Sequence, residues 1–236
     1  MSVLVLGIET STEQTAVAFG SEHGIVAGTV LSVGRPSDQV VVPAIEHLLA
    51  WSEVSLSSLG GIAVGLGPGL FTGMRVGIAT AKTLAQALQV PIVGLASLDL
   101  VAFSVGYART LICAAVDAKR GELFYSFYLP VPGGIARQTD FQVGSPAHLT
   151  AELEARREDI LMVGNGALAY RRELEEAGGH VGFASAANAY PDATALVQLA
   201  IPRLTREDFD RLYDLKPFYV RKSDAQIAWD HRRRTG

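Results

Sequence analysis

The sequence predicts an α/β protein of two related lobes, each a mixed sheet with flanking helices. Three observations predict it. Strand-length runs of β-branched and apolar residues alternate with stretches of helical periodicity. The order strands, helix, strand, helix occurs twice, restarting near Arg109. The chain has 236 residues, 49% apolar and 19% charged, long enough to bury about 70% of its unfolded surface without a disulfide or a structural metal. A single open sheet is the alternative. The expected division is residues 1–106 and 107–205, with 206–236 packing back on the first lobe.

Val3–Ile8, Gln14–Gly20 and Ile25–Val33 read as strands joined by turn-rich segments, an antiparallel start. Ser37–Trp51 changes to helical spacing, with Ser37 or Asp38 as N-cap and Pro43 either at the first helical position or at a kink. Gly61–Leu66 is a strand, Gly73–Leu88 a helix, Val90–Leu95 a strand, and Ser97–Val105 a short helix capped by Ser97. The second round has strands at Leu111–Val116, Glu122–Leu129 and Ala136–Val143. A helix from Ser145-Pro146 to Arg157 follows, then a strand at Ile160–Val163 and helices at Ala167–Ala177 and Asp192–Ile201.

The net charge is −4, whereas proteins that grip nucleic acid alone are usually basic. Residues 203–236 hold nine Lys or Arg against six Asp or Glu, a local +3. Arg232, Arg233 and Arg234 could reach RNA phosphate, or form a solvated terminus. Cys113 is the only cysteine, which excludes an internal disulfide and a thiolate zinc site. The five histidines have no i, i+3 or i, i+4 spacing, so a helical metal site is not expected. The first residues lack a basic leader segment, and apolar runs stop well short of a membrane span. A cytoplasmic protein without membrane contact is expected.

Three stretches could carry chemistry. Gly65-Leu66-Gly67-Pro68-Gly69-Leu70-Phe71-Thr72-Gly73 runs from a strand into a helix, where backbone N–H groups can hold an anion. It fits neither the dinucleotide nor the P-loop spacing. The other reading is a tight crossing that only small residues permit. Glu9-Thr10-Ser11-Thr12 could hold magnesium and phosphate at a strand end, or form a self-bonded turn. Asp117 could be a general base, or a turn cap. Together Glu9, Thr10, Ser11, Thr12, Gly67, Gly69 and Asp117 form the candidate residual anion or nucleotide site.

Five stretches in order resemble the bacterial TsaB (YeaZ-like) family. They are Gly7-Ile8-Glu9-Thr10-Ser11-Thr12, Pro43–Leu49, Gly67–Gly77, Val116–Glu122 and Pro217–Arg221. The resemblance implies a two-lobed actin/Hsp70/sugar-kinase-like (ribonuclease H-like) fold. It implies a non-catalytic subunit in tRNA threonylcarbamoyladenosine biosynthesis. Such a subunit would activate a metal-containing catalytic subunit that transfers threonylcarbamoyl from its adenylate to the adenosine beside the anticodon. Where that relative has two metal-binding histidines, sequence order places Ser97 and Val101, neither of which replaces imidazole. Glu9 stands where the family usually has Asp, and Ser37 where it often has His. Gly164-Asn165-Gly166 is a poor match to the glycine pair that cradles adenosine in this fold, so at most weak nucleotide binding is expected, with no other cofactor and no metal.

The expected partners are the catalytic subunit, a small ATPase and, when alone, a second copy, with tRNA met indirectly or through the basic C-terminus. The helix Ser37–Trp51 is apolar on two sides, and the small residues of Gly73–Leu88 allow close approach. The candidate interface is therefore Val40, Val41, Ala44, Ile45, Leu48, Met74, Gly77, Ile78, Ala81, Leu84 and Ala85. An ordinary core is the other reading for both helices. A small-molecule kinase using Glu9 and Asp117 around magnesium-ATP is the alternative function, and a metallopeptidase a third.

Overall fold

The structure is a computed structural model that describes residues 3–32, 34 and 36–221; Arg232, Arg233 and Arg234 lie outside the described residues. The first sheet has five strands: β1 (Leu4–Glu9), β2 (Thr15–Ser21), β3 (Gly24–Leu31), β4 (Leu59–Gly65) and β5 (Ile92–Leu95). Their order is β3-β2-β1-β4-β5. The second sheet is built from β6 (Leu111–Lys119), β7 (Glu122–Val131), β8 (Gly134–Arg137), β9 (Gln142–Gly144), β10 (Ile160–Val163) and β11 (Val181–Phe183). Its order is β11-β10-β6-β7-β8, with β9 also on β7. In both sheets the first strand pairs antiparallel with the second and parallel with the strand after the helix. The restart in the sequence is therefore a repeated topology.

The helices are α1 (Ser37–Ser52), α2 (Phe71–Leu88), α3 (Ser97–Phe103), α4 (Pro146–Ala155), α5 (Asn165–Ala169), α6 (Arg171–Glu175) and α7 (Ala193–Thr205). α1 and α2 cover one face of the first sheet through Val41, Ile45, Leu48, Ile78 and Ala81. α7 covers the other face, where Leu196, Val197 and Ala200 meet Val5, Ala16 and Ala63. The expected second-lobe range of 107–205 thus needs correction, because its last helix packs on the first sheet. α3 lies between the sheets, with Leu100 in the first core and Leu98, Val101 and Ala102 in the second.

Local chemistry explains most boundaries. Ser145 caps α4 by accepting from His148 N at 3.2 Å, with Pro146 at the first turn. Asp192 caps α7 in the same way through Thr194 N. α1 departs from expectation. Pro36, not Ser37 or Asp38, occupies its cap position without a side-chain bond, and Pro43 sits inside the helix. Ser97 does not cap α3; Ala96 holds that position. The expected strand Ala136–Val143 splits into β8 and β9, both on β7. Between them Ser126 Oγ donates to Thr139 O at 2.7 Å and Gln138 N to Phe127 O at 2.7 Å. The expected helix Ala167–Ala177 breaks at Tyr170, which leaves helical geometry at φ −112°.

Candidate functional site

The end of β1 is closed. Glu9 is buried, and its Oε1 accepts from Ser11 N at 2.6 Å. Ser97 Oγ donates to Glu9 Oε2 at 2.8 Å and accepts from Gly67 N at 3.1 Å. Burial pushes the Glu9 carboxyl above its ordinary pKa, against the pull of the Ser11 and Ser97 hydrogen bonds. Gly65 is small so that this carboxylate can fit; a Cβ there would lie 1.9 Å from Oε2. Thr10, Ser11 and Thr12 are buried too, and Thr10 Oγ1 donates to Gly73 O at 2.7 Å. These four residues are buried in one joint, with Ser11 Oγ lacking a hydrogen-bond partner among the described residues, whereas Gly69, also expected at the anion site, lines the cleft between the lobes.

The glycine stretch serves the same joint. Leu70 N, at the N-terminus of α2, donates to Ser11 O at 2.6 Å. A Cβ at Gly69 would lie 2.1 Å from Ser11 O, and one at Gly73 2.1 Å from Thr10 O. Gly77 would meet Thr10 Oγ1 at 2.2 Å. The first turns of α2 therefore lie directly on the turn after β1. Ser11 O thereby takes the Leu70 N–H, while Gly69, Leu70, Phe71 and Thr72 also line the cleft between the lobes. The tight-crossing reading is the one the geometry supports.

Asp117 is held rather than poised. Its Oδ1 accepts from Lys119 N at 2.8 Å, and its Oδ2 pairs with Lys119 Nζ at 2.9 Å. Lys119 Nζ also pairs with Glu13, which links the lobes. Gly164-Asn165-Gly166 packs α5 on β6: a Cβ at Gly164 would lie 2.1 Å from Ala115 O. Between the lobes a cleft of about 530 Å³ remains, with Arg75, Lys119 and Arg221 on its walls. Arg75 stacks 3.8 Å over the Phe71 ring and donates from Nε to Tyr219 OH at 3.1 Å. Lys119 and Tyr219 lie in stretches that carry the family resemblance, but only the fold brings Glu13 to Lys119 and Tyr219 to Arg75. Among the described residues, no group of three His, Cys, Asp or Glu is placed to hold a metal.

The helix pair is the second candidate surface. Of the eleven expected interface residues, Val40, Val41, Ala44, Ile45, Leu48, Met74, Gly77, Ile78, Ala81 and Ala85 are buried in this chain. Most of them face the chain's own first sheet. Leu84 alone is partly exposed. Between α1 and α2 lies a groove of about 400 Å³ lined by Val42, Ile45, Glu46, Leu49, Ala79, Thr83 and Leu84, so Ile45 and Leu84 of the expected residues reach it. The wide apolar stripe of α1 buries it on its own sheet.

The profile of the family TsaD, tRNA N6-adenosine threonylcarbamoyltransferase, matches residues 31–229. The tRNA threonylcarbamoyladenosine biosynthesis protein TsaB of Bacillus subtilis is 27% identical over 225 residues, 95% of this chain and 97% of that protein. A crystal structure from Pseudomonas aeruginosa, described as similar to the peptidase YeaZ, has a TM-score of 0.80 at 27% identity, over 93% of this chain and 100% of that one. The chain is a TsaB/YeaZ-like member of this family. The TsaB protein of Escherichia coli is 33% identical over 133 residues, 56% of this chain and 57% of that protein. The (R)-2-hydroxyglutaryl-CoA dehydratase component A of Acidaminococcus fermentans shares the fold alone, with a TM-score of 0.51 at 12% identity over 86% of this chain and 99% of that one. The TsaB/YeaZ-like chain thus has the two-lobed actin-like (ribonuclease H-like) fold. Ser97 and Val101, which stand by sequence order where the catalytic relative is expected to have histidines, are fully buried. No helix among the described residues is long and apolar enough to cross a membrane.

Proposed function

We propose that this chain is a non-catalytic subunit in tRNA threonylcarbamoyladenosine biosynthesis that docks on the catalytic threonylcarbamoyltransferase subunit and activates it. The observation that carries this reading is the α1–α2 groove. Its walls are apolar, and Glu46 is the one charged residue among those lining it. An open apolar groove on paired helices suits a partner's helices. The joint at Glu9, Ser97 and Gly67 counts against chemistry of the chain's own. A kinase needs a carboxylate open to magnesium and a helix N-terminus open to phosphate. Here burial encloses the first, and at the second Ser11 O takes the Leu70 N–H. Nucleotide binding, if measured, would use the cleft beside Arg75 and be weak.

Docking would hold the catalytic subunit in its active arrangement. A small ATPase would join for turnover, and tRNA would be met through the assembly. The test is co-purification of the two subunits with wild-type chain and with Leu84→Glu. Loss of the complex with a folded variant supports the groove. An intact complex contradicts it.

A further inference from the structure

The cleft between the lobes has a composition that the docking groove does not share. Four cations line it, Arg75, Lys119, Arg120 and Arg221, and no carboxylate does. Two of the four are already paired: Lys119 with Asp117 and Glu13, and Arg221 with Glu122. Arg75 meets no carboxylate among the described residues; its guanidinium lies 3.8 Å over the Phe71 ring, and its Nε donates to Tyr219 OH at 3.1 Å. The guanidinium is thus held in place with both Nη groups left for a ligand, an arrangement that suits a pair of phosphate oxygens.

The backbone around it points the same way. α2 begins without a side-chain cap, and the N–H groups of a first helical turn have no acceptor within the helix. Phe71 and Thr72 of that turn line the cleft beside Arg75. On the opposite wall the β6–β7 turn holds Lys119 and Arg120 at φ 62° and 59°. Residues with a side chain seldom adopt this conformation, and it stores strain. The strained turn brings two cations to the cleft.

The rings decide which anion fits. Tyr219 is 47% exposed and Phe218 38%, and both line the cleft with Phe71. Exposed ring faces interleaved with cations hold single-stranded nucleic acid: bases stack on the rings, and the cations neutralise phosphates. An acidic peptide would use the cations and leave the rings bare. A nucleoside triphosphate would bring magnesium, which needs open carboxylates; Glu9 is buried and Asp117 is tied to Lys119. A phosphodiester carries one charge per nucleotide and needs no metal. We propose that this cleft binds a short single-stranded stretch of RNA, with a phosphate on Arg75 and the first turn of α2 and a base on Tyr219. The family's pathway acts on tRNA, so RNA is the strand available to it. The net charge of −4 makes this a local contact of modest affinity. The cleft shares no lining residue with the α1–α2 groove.

The experiment measures fluorescence anisotropy of a labelled, unstructured RNA oligonucleotide with the full chain alone, so its outcome does not depend on the groove. Salt is varied from about 25 to about 200 mM. Wild type should bind, more weakly as salt rises. Arg75→Gln and Arg120→Gln should each lower affinity about fivefold or more and flatten the slope of log affinity against log salt by about 0.7. Arg120 is exposed, so its variant tests the cleft even where Arg75→Gln fails to fold. Tyr219→Leu should lower affinity as much with the slope unchanged, and Tyr219→Phe should bind nearly as wild type, since stacking needs the ring and not the hydroxyl. Arg172→Gln, exposed and outside the cleft lining, should bind as wild type. The proposal is overturned by absence of RNA binding at low salt, by wild-type affinity in the folded Arg75 or Arg120 variant, or by loss of binding only when Arg232, Arg233 and Arg234 are all replaced by glutamine. Displacement of the RNA by polyglutamate or by magnesium-ATP as readily as by unlabelled RNA would also overturn it, assigning the cleft to an acidic peptide or to a free nucleotide.

Discussion

The Ser97 hydroxyl donates to Glu9 Oε2 at 2.8 Å and accepts the Gly67 N–H at 3.1 Å. One side chain therefore joins the end of β1, the glycine stretch and the start of α3. Removing it in Ser97→Ala leaves a buried carboxylate oxygen without its donor. The expected loss is about 1–3 kcal/mol, read as a lower urea midpoint at unchanged m-value. An unchanged midpoint would show that the joint is not structural.

The same carboxyl gives a pH dependence. Burial holds the Glu9 pKa above its ordinary value in the folded chain. The folded state then binds this proton more tightly than the unfolded state. Its contribution is fully present below the unfolded pKa and is lost as pH rises through the folded one. Comparing Glu9→Gln with wild type from about pH 5 to about pH 8 isolates it, with a slope difference of up to about 1.4 kcal/mol per pH unit. Wild type should lose stability relative to the variant as pH rises. A difference of the opposite sign would contradict the burial argument.

Gly73→Ala tests what the glycines are for. Its Cβ would lie 2.1 Å from Thr10 O, and backbone cannot move aside cheaply. The expected destabilisation is roughly 1–3 kcal/mol, a drop of several degrees in Tm. A variant of native stability would return the stretch to an anion-binding role.

The two lobes were legible because strand and helix periodicities differ and their order repeats. The caps Ser145 and Asp192 were legible from local chemistry alone. The site was less so. Val41 and Ala81 look like docking residues in sequence, since a stripe that faces the chain's own sheet has the same period as one that faces a partner. Glu9 looks like a magnesium ligand for a similar reason: no local pattern reports that Ser97, 88 residues away, will cover it. α7 follows the second lobe in the chain but packs on the first, and only tertiary contact decides that.

The groove and the core separate under mutation. Leu84→Glu places a charge in the groove, where Leu84 is half-buried at the edge of the first core. It should weaken docking by about 2 kcal/mol or more, roughly thirtyfold, without changing Tm by more than a few degrees. Val41→Asp instead buries a charge against the first sheet and should unfold the first lobe. If Val41→Asp folds normally and only docking fails, the face assignment is wrong.

The most direct measurement is reconstituted tRNA threonylcarbamoylation with the catalytic subunit, the adenylate-forming enzyme and the small ATPase. The reaction is run without this chain, with wild type, and with Leu84→Glu. Modification should depend on the wild-type chain, fail with the groove variant, and be absent with this chain alone. Modification that proceeds equally well without this chain would contradict the account.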